Sequence, residues 1–250
     1  MRAKTPADLK SMREGGKLLA KILKDLSGKV EAGVTPKDLA ADAAQQIEKY
    51  NMQPVVLGYE GFPDVICISV NNAIVHGVPG NQPIRQGDLV KLDLTLGYKG
   101  MINDSAVSVI AGGHGSAGVQ RLLDGTKAAL NAGIAAVKGE GTRVGDISQA
   151  VQDVLEKEYK LGVIRELVGH GVGYQIHEAP NIPNYGVAGT GPTLHAGMTI
   201  AIEPMASLGD WHIAVAKDKN TIIMKDGSLG AHFEHTVLVT EDGCEILTLP

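Results

Sequence analysis

Val90-Lys91-Leu92-Asp93-Leu94-Thr95-Leu96 is the segment from which both the fold and the chemistry of this chain follow. Its residues alternate, so that Val90, Leu92, Leu94 and Leu96 share one face of a strand while Lys91, Asp93 and Thr95 share the other. Such a strand lays an apolar face on a core and carries a carboxylate on its opposite face. Four further residues sit in comparable surroundings. Asp104 lies in Ile102-Asn103-Asp104-Ser105, His170 in Val168-Gly169-His170-Gly171-Val172-Gly173, Glu203 in Thr199-Ile200-Ala201-Ile202-Glu203-Pro204-Met205, and Glu234 in Phe233-Glu234-His235-Thr236. Charges on apolar strands are costly unless paired. If the four carboxylates converge they repel, and two divalent cations would balance them. Oxygen donors with one imidazole suit Mn, Fe, Co or Zn better than a thiolate-loving ion. Taken singly, each residue has a plainer reading: Asp104 after Asn103 as a turn or cap residue, His170 as a loop histidine, Glu234 as a strand-edge ion pair with His235.

The 250 residues fit one large domain or two fused halves, long enough to bury a sizeable core. Hydrophobic residues make up 44% and charged residues 20%, ordinary for a globular enzyme, and scarce aromatics require an aliphatic core. The net charge of −5 argues against a broad nucleic-acid surface, leaving room only for a small basic patch near Lys21, Lys24 and Lys29. Cys67 and Cys244 form no disulfide framework, so a reducing compartment is expected. No apolar run has the length of a membrane span, and Met1-Arg2-Ala3-Lys4 leads into Thr5-Pro6 without a signal segment. Cytoplasmic residence is the expectation.

Thr5-Pro6-Ala7-Asp8 opens a helix that ends at Gly28, and Thr35-Pro36-Lys37-Asp38 opens a second, reaching about Tyr50. Strand patterns cover 65–70, 89–96 and 107–110, with a loop at Gly97–Gly100. Helices are expected over 116–137 and 146–159, then strands at 163–168, 198–203, 211–216, 221–224, 231–239 and 244–248. Glu178 to Leu194, rich in proline and glycine, reads as a long loop. Glu31-Ala-Gly-Val-Thr35-Pro-Lys-Asp38-Leu39 echoes Gly139-Glu-Gly-Thr142-Arg-Val-Gly-Asp146-Ile147. The echo points to a duplicated helix-helix-strand unit with the site between halves at about 1–112 and 113–250.

Read in order, the motifs resemble one family along nearly the whole chain. They are His76-Gly77-Val78-Pro79, Asp93, Asp104 eleven residues later, Gly169-His170-Gly171-Val172-Gly173, His177, Ile202-Glu203-Pro204-Met205 and Phe233-Glu234-His235-Thr236. This series is similar to that of the methionine aminopeptidases of the pita-bread fold. Only 25 residues separate His177 from Glu203, which leaves no room for the helical insertion of type II members, so the resemblance is to type I. It implies an α/β (α+β) pita-bread domain: two pseudo-symmetric halves and a largely antiparallel curved sheet, covered by helices on one face.

The resemblance further implies two divalent ions, Co, Mn, Fe or Zn. Asp93 would chelate one, His170 and Glu203 the other, with Asp104 and Glu234 bridging. Glu203 would also shuttle a proton, His177 would contact the carbonyl oxygen, and His76 would lie near the scissile nitrogen. Tyr59, Phe62 and Cys67 would wall a methionine pocket, two aromatics and a soft sulfur suiting a thioether; the plainer alternative is core beside the site. The implied reaction is removal of the N-terminal methionine from new polypeptides, favoured when the second residue is small. The implied setting is a monomer acting on nascent N-termini, with possible transient ribosome contact, no specific nucleic-acid binding and no membrane.

The chain departs from the family pattern at Val56, Glu60, Ile176, Asn220 and Gly230, most of them positions that shape the pocket, and Trp211 is a possible stand-in for the tryptophan absent at Asn220. His114, His195, His212, His232 and His235 are expected at surface or structural places. Competing readings are an X-Pro aminopeptidase on the same fold, against which the lack of an extra domain speaks; a metal-free binding module, against which the full ligand set speaks; and a metal-buffering protein, which would leave His76 and His177 without purpose.

Overall fold

The computed structural model describes residues 3–250; Met1 and Arg2, the start of the segment searched for a signal, lie outside them. Helix α1 spans Pro6–Ser27 and α2 spans Pro36–Lys49. Both open on the same reciprocal cap. Thr5 N donates to the Asp8 carboxylate at 2.9 Å while Thr5 Oγ1 accepts from Asp8 N at 3.2 Å, and Thr35 and Asp38 repeat the arrangement at 3.0 and 3.1 Å. Two otherwise orphaned amides are thereby satisfied at each helix start. Helix α3 spans Ala117–Ala135 and α4 spans Val144–Gln152. At α4 the Asp146 carboxylate accepts from Arg143 N at 2.8 Å, so the echoed segments share the acidic half of one cap. The helix expected to continue to 159 changes to a π-helical turn at Asp153–Glu158.

A nine-stranded sheet holds the domain together. Its main path runs Gln53–Pro54, Leu89–Tyr98, Met101–Ile110, Glu234–Val239, Thr199–Ile202, Val168–Gly171, Glu178–Pro183, every neighbour antiparallel. The alternation read at Val90–Leu96 is observed. Val90, Leu92, Leu94 and Leu96 are buried in one apolar cluster with Leu19, Ile22 and Leu26 of α1 and Leu39, Ala43 and Ile47 of α2. A second cluster joins Leu122, Leu130 and Ile134 of α3 and Ile147 and Val151 of α4 to Ile200, Ile202 and Val237 of the sheet. The helices cover one face of the sheet and leave the other to Asp93 and its neighbours. This is the pita-bread architecture.

Further readings of the sequence change, among them the strand expected at 231–239, which breaks at Phe233 into Gly230–His232 and Glu234–Val239 of different sheets. The strand expected at 107–110 begins at Met101, so Asp104 is a mid-strand residue and not a turn or cap. Its neighbour Asn103 faces α1, where Nδ2 donates to Met12 O at 3.1 Å; Asp104 therefore faces the opposite side. The 163–168 strand is split into Gly162–Val163 and Val168–Gly171. The supposed long loop from Glu178 contains the strand Glu178–Pro183. That strand lies at the end of the main path, where a missing amide hydrogen costs no ladder bond, and so it tolerates Pro180 and Pro183.

The N-terminal segment is tied to the site's rim. Buried Lys4 pairs with Glu178 at 3.1 Å and lies 4.3 Å from the Tyr174 ring centroid. Glu178 also accepts from Tyr174 N at 2.6 Å and Gln175 N at 3.1 Å. No helix among the described residues is long and apolar enough to cross a membrane.

The packing gives a direct test. Leu92→Ala, at a position with no exposed surface, is expected to cost about 2–5 kcal/mol in urea unfolding. Val187→Ala, at a position 64% exposed, should cost less than about 0.5 kcal/mol. Equal losses would contradict the burial described.

Candidate metal centre and substrate cavity

The antiparallel register builds the site. Cys67 pairs with Asp93, Asp93 with Ala106, and Ala106 with Glu234, which sets one row of side chains across four strands. Asp104 lies two residues along from Ala106 on the same face, directly opposite Thr95. The row sets the small Ala106 between Asp93 and Glu234, which leaves space between the two acids. From the next strands, His170 pairs with Ala201, two residues before Glu203, while Ile202 pairs with His235. Thus all five residues singled out in the sequence reach one region of the sheet.

Their surroundings hold them in place. Thr95 Oγ1 donates to Asp104 Oδ1 at 2.9 Å. Thr236 Oγ1 accepts from Asp104 N at 2.9 Å and donates to Asp104 O at 2.8 Å, and Ser105 Oγ donates to Glu234 O at 2.7 Å. Asn184 Nδ2 donates to Glu203 O at 3.1 Å. His170 Nδ1 lies 3.0 Å from Gly171 O, a contact that requires the proton on Nδ1 and leaves the Nε2 lone pair for the site. His170 Nε2 stands 3.4 Å from Glu203 Oε1.

The electrostatics of this floor are unfavourable without a cation. Burial, then repulsion from Asp104 and Glu203, drives Asp93 well above the usual carboxylate range. Burial raises Glu203 to about 8, against the opposing pull of His170. Glu234 is driven well above its ordinary value by burial and by Asp104, Glu203 and Asp93. Ligand atoms of Asp104, His170 and Glu234 lie within 4.8 Å of one another, and Glu234 Oε1 is buried without a hydrogen-bond partner. Hard oxygen donors, one oriented imidazole nitrogen and an unsatisfied carboxylate oxygen fit a divalent ion.

Above the floor is a cavity of about 360 Å³. His76 and His177 line it, as do Tyr59, Phe62 and Cys67, so every residue expected at the site lies there. His76 is held at φ 54°, unusual for a non-glycine residue, and burial lowers its pKa. The next residue is glycine because a Cβ at Gly77 would collide with the Ile68 backbone. His177 sets its ring edge-on to His170 at 4.4 Å, and its Nδ1 is 3.1 Å from Tyr59 Oη. Val56, Phe62, Cys67 and Ile176 form a separate apolar cluster on one wall. Val56, Glu60, Ile176 and Asn220 all line the cavity, so these departures from the family pattern are concentrated where a side chain would be read. Trp211 does not replace Asn220; it stacks on His212 at 3.9 Å with Arg165 at 5.6 Å. Gly230 lies against Ile74.

One residue was missed. His232, expected at a surface or structural place, is buried and lines the same cavity. The available signal was its position two residues before Glu234, on the same side of an extended chain. The other expectations stand: His195 and His212 are exposed, and His235 Nδ1 contacts Thr248 Oγ1 at 2.9 Å.

The fold and site define a metallopeptidase, and comparison with known proteins agrees. Residues 10–241 match the model of metallopeptidase family M24, and the chain belongs to that family. It is 40% identical over 245 residues to methionine aminopeptidase 1 of Bacillus subtilis, covering 98% of both. It superposes on the crystal structure of methionine aminopeptidase from Thermotoga maritima with a TM-score of 0.97 at 40% identity, covering all of each chain. A prolidase from Pyrococcus furiosus shares the fold at a TM-score of 0.80 and 23% identity, the chain spanning 65% of it.

The raised carboxylates set a pH test. Groups whose folded pKa lies above the unfolded value stabilise fully below the latter, and that contribution is lost as pH rises through the folded value, about 8 for Glu203. The buried His76, His177, His232 and His235, lowered from 6.5, and Lys91, lowered well below 10.5, push the other way, so the carboxylate contribution is read against Glu203→Gln, which cannot titrate. Metal-stripped wild type should therefore lose Tm relative to stripped Glu203→Gln from about pH 6.5 through about 8. Added Mn(II), which needs ionised ligands, should raise the wild-type Tm most at the upper end. A Tm difference that stays flat or moves in favour of wild type across that window would contradict the electrostatics.

Proposed function

We infer that this enzyme hydrolyses the N-terminal methionine from newly made polypeptides, preferring those with a small second residue. The observation that carries the reading is the meeting of Asp93, Asp104, His170, Glu203 and Glu234 at the floor of a cavity whose wall is Val56, Phe62, Cys67 and Ile176. A charged floor beside an apolar, sulfur-bearing wall suits a methionine whose α-amine and side chain are bound together. Family and relatives point to divalent-metal use; we propose two ions, drawn from Co, Mn, Fe or Zn.

Asp93, Asp104, His170, Glu203 and Glu234 would hold the ions. When bound, they supply Lewis-acid chemistry and positive charge for attack of water on the scissile carbonyl. Glu203 would take a proton from the attacking water at its carboxylate and deliver it to the leaving amine nitrogen, a role supported by its place on the cavity floor beside His170. If His177 Nδ1 accepts from the Tyr59 hydroxyl, its Nε2 carries the proton and can donate to the carbonyl oxygen. His76, kept neutral by burial, would face the scissile nitrogen. Phe62 and Cys67 would exclude water from the methionine side chain, with Tyr59 at the rim.

We further propose that residues 1–250 are one catalytic domain of two pseudo-equivalent halves, supported by the sheet shared between them and by the matched helix caps. The enzyme would act as a cytoplasmic monomer on nascent N-termini, with transient ribosome contact. Unpaired Cys67 and Cys244 are in keeping with a reducing compartment.

The test is release of free methionine from Met-Ala-Ser and Met-Pro-Gly peptides by stripped protein titrated with Mn, Fe, Co and Zn. Metal-dependent release is expected, and Glu203→Ala should lower kcat by about 100-fold or more. A folded protein that releases nothing with any metal would overturn the reading. The pocket has its own test. Phe62→Ala should raise KM for Met-Ala-Ser by about 10-fold while changing kcat less, the signature of lost uniform binding. An unchanged KM would place methionine elsewhere.

A further inference from the structure

His232 is the feature of the cavity that the proposed reaction leaves unused. It ends the short strand Gly230–His232, where it pairs with Met205. Its backbone is clamped by one hydroxyl: His232 N donates to Ser108 Oγ at 2.9 Å, and Ser108 Oγ donates to His232 O at 2.7 Å. The ring itself is free of such ties. Both Nδ1 and Nε2 are buried without a hydrogen-bond partner. An unsatisfied buried polar group costs about 1–3 kcal/mol, so the fold retains this imidazole at a cost that a hydrocarbon would not carry.

The direction of the ring indicates its use. Nε2 lies 3.5 Å from Glu203 Oε2 and 3.8 Å from Glu234 Oε2. Glu203 Oε1 faces His170 Nε2 at 3.4 Å. The Glu203 carboxylate is therefore flanked by two imidazoles, one on each oxygen. They are not equivalent. His170 commits Nδ1 to Gly171 O and presents a lone pair, whereas His232 has no such commitment and can present an N–H. The 3.5 Å separation from Glu203 Oε2 is slightly beyond hydrogen-bond length, as is common for catalytic contacts before substrate closes the site.

We propose that His232 is a positioning residue for the peptidase reaction, its Nε2–H held by Glu203 Oε2 so that Oε1 remains beside His170. Rotation of the Glu203 carboxylate about its terminal bond is then fixed. The same oxygens that help hold an ion are kept aligned to receive the water proton. This role rests on Glu203 as the proton shuttle, and wild-type turnover in the same assay tests that reading separately.

The experiment compares His232→Gln with His232→Leu, and with His232→Asn should the leucine protein fail to fold. Glutamine retains an N–H at similar reach. Leucine fills the space without a donor, and the asparagine amide is one methylene shorter. Each metal-loaded protein is assayed for kcat and KM on Met-Ala-Ser. Each stripped protein is titrated with Co(II) by calorimetry, and its visible absorption recorded. Leucine is expected to lower kcat by about 10–100-fold with KM changed less than about 3-fold, the size of one lost hydrogen bond to a charged group. It should also alter the Co(II) absorption, while glutamine restores kcat, Co(II) affinity and absorption together. Leucine or asparagine behaving like wild type would overturn the proposal. So would glutamine failing as leucine fails, particularly with lost Co(II) affinity, because His232 would then be a direct ligand. Absence of turnover in wild type with normal Co(II) binding would instead remove the peptidase reading on which the proposal stands.

Discussion

The crowding of carboxylates on a buried floor is the constraint to which the rest of the molecule answers. Asp93, Glu203 and Glu234 are all pushed toward the protonated state by burial and by their neighbours. Such a floor persists only because the scaffold is stiff: two aliphatic clusters press the helices onto the back of the sheet, and side-chain hydroxyls of Thr95, Ser105 and Thr236 fasten the acidic strands to each other. The strands that carry the acids meet in a short join, where Glu234 pairs with Ala106 and His235 with Ser105. A cation held there would neutralise repulsion across that join as well as serve chemistry. Folding and function thus draw on one set of contacts.

Most of this was legible in the sequence because period and motif agreed. Alternation at Val90–Leu96 gave both the strand and the face of Asp93, and the Thr-Pro-x-Asp starts gave both N-terminal helices to within a residue or so. What failed depended on partners far along the chain. Met101 to Ala106 has little alternation, and it is strand because it lies between Leu89–Tyr98 and Glu234–Val239. Glu178–Pro183 looks like loop by composition and is strand by virtue of its edge position. The π-helical turn after Gln152 has no local sequence mark that separates it from ordinary helix.

The candidate site shows the same division. The five residues of its floor stood out as polar groups in apolar or glycine-rich settings, and the two further histidines through motif order. His232 carried only a weaker mark, its place two residues before Glu234; its nearness to Glu203, distant in sequence, shows only in the fold. The cavity wall was partly legible. Phe62 and Cys67 were singled out, while Val56 and Ile176 entered only as departures from a pattern.

The Lys4–Glu178 pair extends the site's dependence to the far end of the chain. Glu178 gathers the amides of Tyr174 and Gln175, and so shapes the turn immediately before His177. A residue of the cavity therefore takes part of its rigidity from a lysine more than 170 positions earlier. Trimming by a protease, or a fusion joint placed too close to α1, would reach His177 without touching the cavity, through a slackened tether.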